Sequence, residues 1–147
     1  MFSPSNRLYF ENAAGRVEED RAGFVRLTYT LGRREASIWH GLLQHTKHLL
    51  ARQGQGLLLV DQRAMQAYSL EEQRWLVEEW LPQAIVEGGY RYGAIVQARD
   101  AFARLAMDTV RLQAQNLQLT YRYFTNEEEA VAWLRAQIKE FSLRYNS

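Results

Sequence analysis

The stretch LLLVDQRAMQAYSLEEQRWL, residues 57–76, decides how this chain is read. Residues 57–60 are wholly aliphatic, and the run stops at Asp61. A short strand that is apolar on both faces belongs at the centre of a sheet, covered from both sides. Arg63 follows in the loop, and Ser69 stands where a helical pattern begins. Glu72, three residues after Ser69, completes the spacing of a capping box, in which the two side chains satisfy each other's orphan backbone donors. The stretch therefore reads as central strand, loop and capped helix.

Upstream, residues 8–12, 16–20 and 24–29 alternate in polarity and are separated by short turns, which predicts an antiparallel meander. The period then changes. Ile38, Leu42, His45 and Leu49 recur at helical spacing, predicting a helix over about 34–52 that ends at Gly54. Downstream of Ser69, Leu70, Val77, Trp80 and Leu81 share one helical face, with Leu76 at its edge. Pro82 lacks a donor and predicts a kink or restart. Residues 92–98 form another short apolar strand, and Asp100 caps a helix carrying Phe102, Leu105, Ala106 and Val110. Residues 117–124 make the last strand, and Asn126 with Glu129 opens the last helix, whose tail beyond about residue 140 is expected to fray. Strands alternating with helices after an antiparallel start predict an α/β fold with a mixed, largely parallel sheet.

Composition narrows the function classes. At 147 residues the chain is read as one domain over 1–147, with its core at about 8–138. A formal charge of +1, with both signs interleaved, argues against general nucleic-acid binding. The absence of cysteine excludes disulfides, thiolate catalysis and cysteine-ligated zinc. Residues 1–12 lack the pattern of a signal peptide, and no apolar run approaches a membrane span. The expectation is a cytoplasmic protein with no stable membrane insertion.

The element order, with VDQR (residues 60–63) after the central strand and the later WLP (80–82), YGAIV (92–96) and AVAWL (130–134), resembles the STAS domain. In particular it resembles the small free-standing bacterial SpoIIAA-like proteins, relatives of anti-sigma-factor antagonists. The resemblance implies a STAS-like fold over about residues 8–138 and a regulatory, protein-binding role. In phosphorylated antagonists of this kind the target serine opens the helix after the central strand, within an Asp-Ser-Ser-Gly-Leu-like motif. Ser69 alone could take that place, and here it lies in Tyr68-Ser69-Leu70-Glu71-Glu72, without the preceding Asp-Ser or the following glycine. Glu71 and Glu72 would also repel a phosphate. The cap is the favoured reading of Ser69, and the phosphorylation switch is the other.

Further groups of polar and aromatic residues are candidates for function. Asp61 and Arg63, Arg99 and Asp100, and Thr125 and Asn126 follow successive strands, at the carboxyl edge where open α/β sheets bind ligands. Arg63 or Arg99 could clamp an anion there, although loop fixation and helix capping explain the same residues more simply. His40, His45 and His48 lie on one helix, with His40 about 140° around the axis from His45, so they do not form a metal set. Neither a catalytic acid–base pair nor a serine elbow is visible, and no cofactor is implied. The four tryptophans are read chiefly as core, but Trp75, beside Arg74 and off the Val77/Trp80 face, is a candidate for a partner or ligand surface.

The reading is therefore a non-enzymatic regulatory or interaction module with Asp61, Arg63, Ser69, Arg74, Trp75, Arg99 and Asp100 at its working edge. Its partner is expected to be another protein, and the aromatic excess admits a homodimer. The alternative is a binder of a small apolar or amphipathic ligand. A ligand binder should enclose an apolar cavity between sheet and helices, whereas an interaction module should close its core and expose an apolar patch.

Overall fold

The computed structural model describes residues 6–146, with side chains described as far as residue 138. Three antiparallel strands open the chain: β1 (Asn6–Asn12), β2 (Gly15–Asp20) and β3 (Val25–Tyr29). The turn between β1 and β2 is tied by the Asn12 side chain, which accepts from the Ala14 N–H at 2.9 Å and donates to the Ile38 carbonyl at 2.9 Å. After α1 (Ala36–Gln53) come β4 (Leu57–Asp61), a helix that begins as α2 (Leu70–Trp75), β5 (Tyr92–Val96), α4 (Ala101–Gln113), β6 (Thr120–Phe124) and α5 (Glu127–Asn146). From β3 onward every neighbouring pair is parallel, and the sheet order is β1-β2-β3-β4-β5-β6.

This order never reverses, and that decides where the helices lie. Crossovers between parallel strands keep one hand, so successive steps in one direction place their helices on the same face. The core divides accordingly. One face packs Val17, Leu27, Leu58 and Ile95 against side chains of α1, the second helix and α4. On the other face Leu57, Leu59, Ala94 and Val96 meet Ala130 and Leu134 of α5. The aliphatic β4 is buried on both sides, as its sequence predicts, because it supplies residues to both clusters.

The second helix departs from the expected pattern. After α2 it passes through a π-helical turn, Leu76–Trp80, where the Leu81 N–H reaches back to the Leu76 carbonyl, before resuming as α3 (Leu81–Val86). Pro82 thus sits in the first turn of the resumed helix, where a missing donor is tolerated. A π turn adds a residue to the repeat and shifts the phase of everything that follows it. Leu70 consequently does not share the buried face of Trp80 and Leu81; it is 78% exposed, while Leu76 is buried. One other expectation is corrected. On α4 the core side is Ala103, Ala106, Met107 and Val110, while Phe102 and Leu105 point outward. The last helix spans Glu127–Asn146.

Gly93 shows how closely the first core is packed. A Cβ built there would meet the Tyr90 hydroxyl and come within 2.8 Å of Tyr121 Cδ1, and both rings pack in that core. Gly93→Ala is therefore expected to lower stability by about 1–3 kcal/mol through overpacking. Urea unfolding checks this, as a lower midpoint at unchanged slope.

Candidate functional site

The carboxyl ends of β3, β4, β5 and β6 lie along one edge of the sheet, and the starts of α1, α2, α4 and α5 gather there. Most of the candidate residues reach this edge, and they divide into separate groups.

The first group is built around Arg34, which precedes α1 rather than opening it, with its side chain 3% exposed. Its guanidinium grips Glu72 with Nε to Oε2 and Nη2 to Oε1, both 2.8 Å, and donates to the carbonyls of Gln66 at 2.9 Å and Ala67 at 3.2 Å. Beneath it lie the rings of Tyr68, Tyr29 and Trp39, 5.2, 5.6 and 5.9 Å from its central carbon. Those rings are joined to one another: the Tyr29 and Tyr68 hydroxyls are 2.7 Å apart, and Trp39 Nε1 donates to Tyr29 at 3.1 Å.

Ser69 is a cap, as its spacing predicts. Its hydroxyl accepts from the Glu72 N–H at 3.1 Å, and its own N–H donates to Glu72 Oε1 at 2.8 Å. Glu72 therefore serves the helix and Arg34 together. Burial opposes its ionisation, but the Arg34 and Ser69 hydrogen bonds outweigh that and hold the carboxyl below its ordinary range. Beside the knot, Trp75 stacks on His40 with centroids 3.8 Å apart and planes 10° apart, and also packs against Trp39. An open groove runs over Arg33, Glu35, His40, Gln66, Glu71 and Trp75. Arg74 is exposed and does not line it.

The second group lies on the opposite face of the sheet. Asp61 receives the Arg63 side chain bidentately, at 3.0 and 2.7 Å, and the Arg63 N–H at 3.1 Å. Burial works against the Asp61 charge, yet these bonds from Arg63 keep its carboxyl below the usual range. Next to it Arg26 bridges Asp20 at 2.9 Å and Glu127 at the start of α5, and Arg63 approaches Glu127 at 3.7 Å. The result is a charged shelf where the sheet emerges from under α5, and each of its central cations already holds an anion.

Arg99 and Asp100 form the third group. Asp100 caps α4 by accepting from the Ala103 N–H at 2.9 Å, and the Arg99 N–H meets the Arg63 carbonyl at 3.2 Å, linking the two loops through backbone. Asn126 caps α5 through the Glu129 N–H at 2.9 Å. The histidines separate as expected: His45 stacks on Phe10 at 3.8 Å, and His48 meets His45 edge-on at 6.0 Å. Among the described residues no three acidic or histidine side chains gather to hold a metal ion.

Two further features bear on function. Between the sheet and the first helical layer there is a cavity of only about 30 Å³, lined in part by Tyr29, Gln62, Tyr68, Tyr90, Met107 and Tyr121. That holds a water molecule or two. On α4, Phe102, Leu105 and Leu112 are 73%, 62% and 66% exposed. With Thr109 they follow the 3-4-3 spacing of one helical stripe, centred roughly 130° around the axis from the buried Ala103, Ala106, Met107 and Val110. The signal was present in the small size of Ala103 and Ala106, which are buried where α4 packs against the second helix.

Ser69→Ala should lose about 1 kcal/mol, the value of a cap, while Ser69→Asp should be nearly neutral. Glu72→Ala should lose more, about 3 kcal/mol, because it also strands a buried guanidinium. Equilibrium denaturation of the three variants tests this order. Because the folded-state Glu72 and Asp61 carboxyls sit below their ordinary values, the stability they contribute is complete above the ordinary carboxylate range and is lost as pH falls through the folded-state values. Glu72→Gln should flatten part of that acid limb, measured as unfolding midpoint against pH.

No protein-family model matches the chain, and neither a curated protein nor a solved structure is significantly similar to it.

Proposed function

We propose that this chain is a non-enzymatic regulatory module of STAS-like type that works by binding another protein, with the outer surface of α4 and the adjoining start of α2 as its docking face. The observation that carries this reading is a closed core beside an outward apolar stripe. Phe102, Leu105 and Leu112 project from α4, and Leu70 is exposed on the neighbouring α2. Single exposed apolar residues are ordinary, but a stripe at helical spacing on the solvent side has no role in folding and marks a contact surface.

The antiparallel start, the buried central strand and the serine-capped helix after it support the STAS-like reading. The capped serine argues for a constitutive surface and against a phosphate switch. Its hydroxyl and N–H are both engaged with Glu72, and Glu72 is held in turn by Arg34. The alternative, a binder of small apolar molecules, is disfavoured by the size of the interior cavity. About 30 Å³ is an order of magnitude below the few hundred Å³ of a typical ligand site. No helix among the described residues is long and apolar enough to cross a membrane.

Phe102→Glu and Leu105→Lys are expected to leave stability within about 0.5 kcal/mol, since both side chains are outside the core. A photo-crosslinking residue placed at Leu105 in the source cells should give a discrete protein adduct, while the same group at the exposed Ala51 of α1 should not. Equal adducts at both positions, or none at Leu105, would sink the docking face.

A further inference from the structure

We propose that two copies of this chain associate edge to edge through β6, as an antiparallel pair centred on Tyr121. This inference does not rest on the docking face of α4.

The two edges of the sheet differ. β1 is guarded: its register with β2 slips between Leu8 and Phe10, and Arg7 and Glu11 flank the irregularity. Bulges and charges of this kind are what natural edge strands use to refuse a partner. β6, with sequence TYRYF, has unbroken register with β5 and contains neither proline nor lysine. Among the described residues no strand lies beyond it.

The direction of its hydrogen bonds identifies the free groups. The Thr120 N–H reaches the Arg91 carbonyl at 2.9 Å, and the Phe124 carbonyl accepts from the Gln97 N–H at 2.9 Å. In a parallel ladder a residue turns both its N–H and its C=O to the same neighbour, and the next residue turns both away. Thr120, Arg122 and Phe124 therefore face β5, and Tyr121 and Tyr123 present donor and acceptor together to the outside. A twofold axis needs such a self-complementary set.

Charge then removes one register. If the axis passed through Arg122, two guanidiniums would lie directly opposite each other, which is repulsive. Centred on Tyr121, the two copies of Tyr121 exchange both backbone bonds, and each Arg122 lies opposite Thr120 of the other chain. Leu119, whose N–H is already used by the Leu117 carbonyl, still has its own carbonyl for the Tyr123 N–H of the other copy. The helix above the edge suits the same symmetry. Arg111 of α4 lies over the Tyr123 ring at 4.9 Å with Asp108 one turn before it, so two antiparallel copies of α4 offer each other opposite charges.

The test uses the absence of native cysteine. Thr120 and Arg122 are both exposed, so single substitutions there leave the core intact. In the pairing centred on Tyr121 they form a non-hydrogen-bonded pair, close enough for a disulfide. Thr120→Cys protein mixed with Arg122→Cys protein under mild oxidation is expected to give a covalent dimer much faster than either variant alone. If Arg122→Cys crosslinks with itself as fast as the mixture does, the register is overturned. If no combination crosslinks above the collisional background, edge pairing is overturned. Sedimentation equilibrium gives an independent measurement. The parent protein should dimerise, Thr120→Lys should weaken the dimer roughly three- to thirtyfold by setting like charges opposite Arg122, and Thr120→Glu should tighten it. A parent protein that stays monomeric at every concentration, or a dimer that Phe102→Glu disperses and Thr120→Lys does not, would also overturn the proposal.

Discussion

The ion pair between Arg34 and Glu72 is the constraint on which the candidate edge depends. It joins three parts of the chain that lie far apart in sequence: the loop before α1, the loop after β4 and the first turn of the second helix. A guanidinium this far from water is costly unless its donors are satisfied, and here a carboxylate and two backbone carbonyls satisfy them. The aromatic rings below it lower that cost further through their π faces. Because Glu72 also completes the Ser69 cap, the helix start and the loop cannot move independently. The knot thus closes the lid of the tyrosine-rich core and makes Ser69 a fixed structural part.

The unreversed strand order explains the rest of the surface. Doubly wound sheets bind ligands where the order reverses and neighbouring loops part. This sheet steps from β1 to β6 in one direction, so it has no such crevice along its parallel strands. Three helical segments crowd one face, and among the described residues α5 alone crosses the other. Where α5 does not reach, the second face of the sheet changes from aliphatic to charged, with Arg26, Asp20, Asp61, Arg63 and Glu127 pairing among themselves. The polar residues of the carboxyl edge are thus largely occupied with one another. Among the described residues, apolar side chains on α4 stay exposed and no strand lies beyond β6.

Some features were determined by the sequence alone, because each rests on near neighbours. The burial of residues 57–60, the caps at Ser69, Asp100 and Asn126, and the antiparallel opening all follow from spacings of a few residues. The helical interruption at Pro82 was legible for the same reason, but its form as a π turn was not, and the face occupied by Leu70 was misassigned with it. The stripe on α4 was ambiguous because either of its faces could have been the core side, and only the packing of Ala103 and Ala106 in the first core cluster settled it. Arg34 carried no local signal at all: its partner lies 38 residues away, and the pair exists only because α1 and α2 start side by side at one sheet edge. Near-neighbour spacing, which the sequence displays directly, determined the elements and their caps. Contacts between distant segments arise only when the chain folds, and they decided which helix faces are buried, which charges pair and which edge of the sheet stays open.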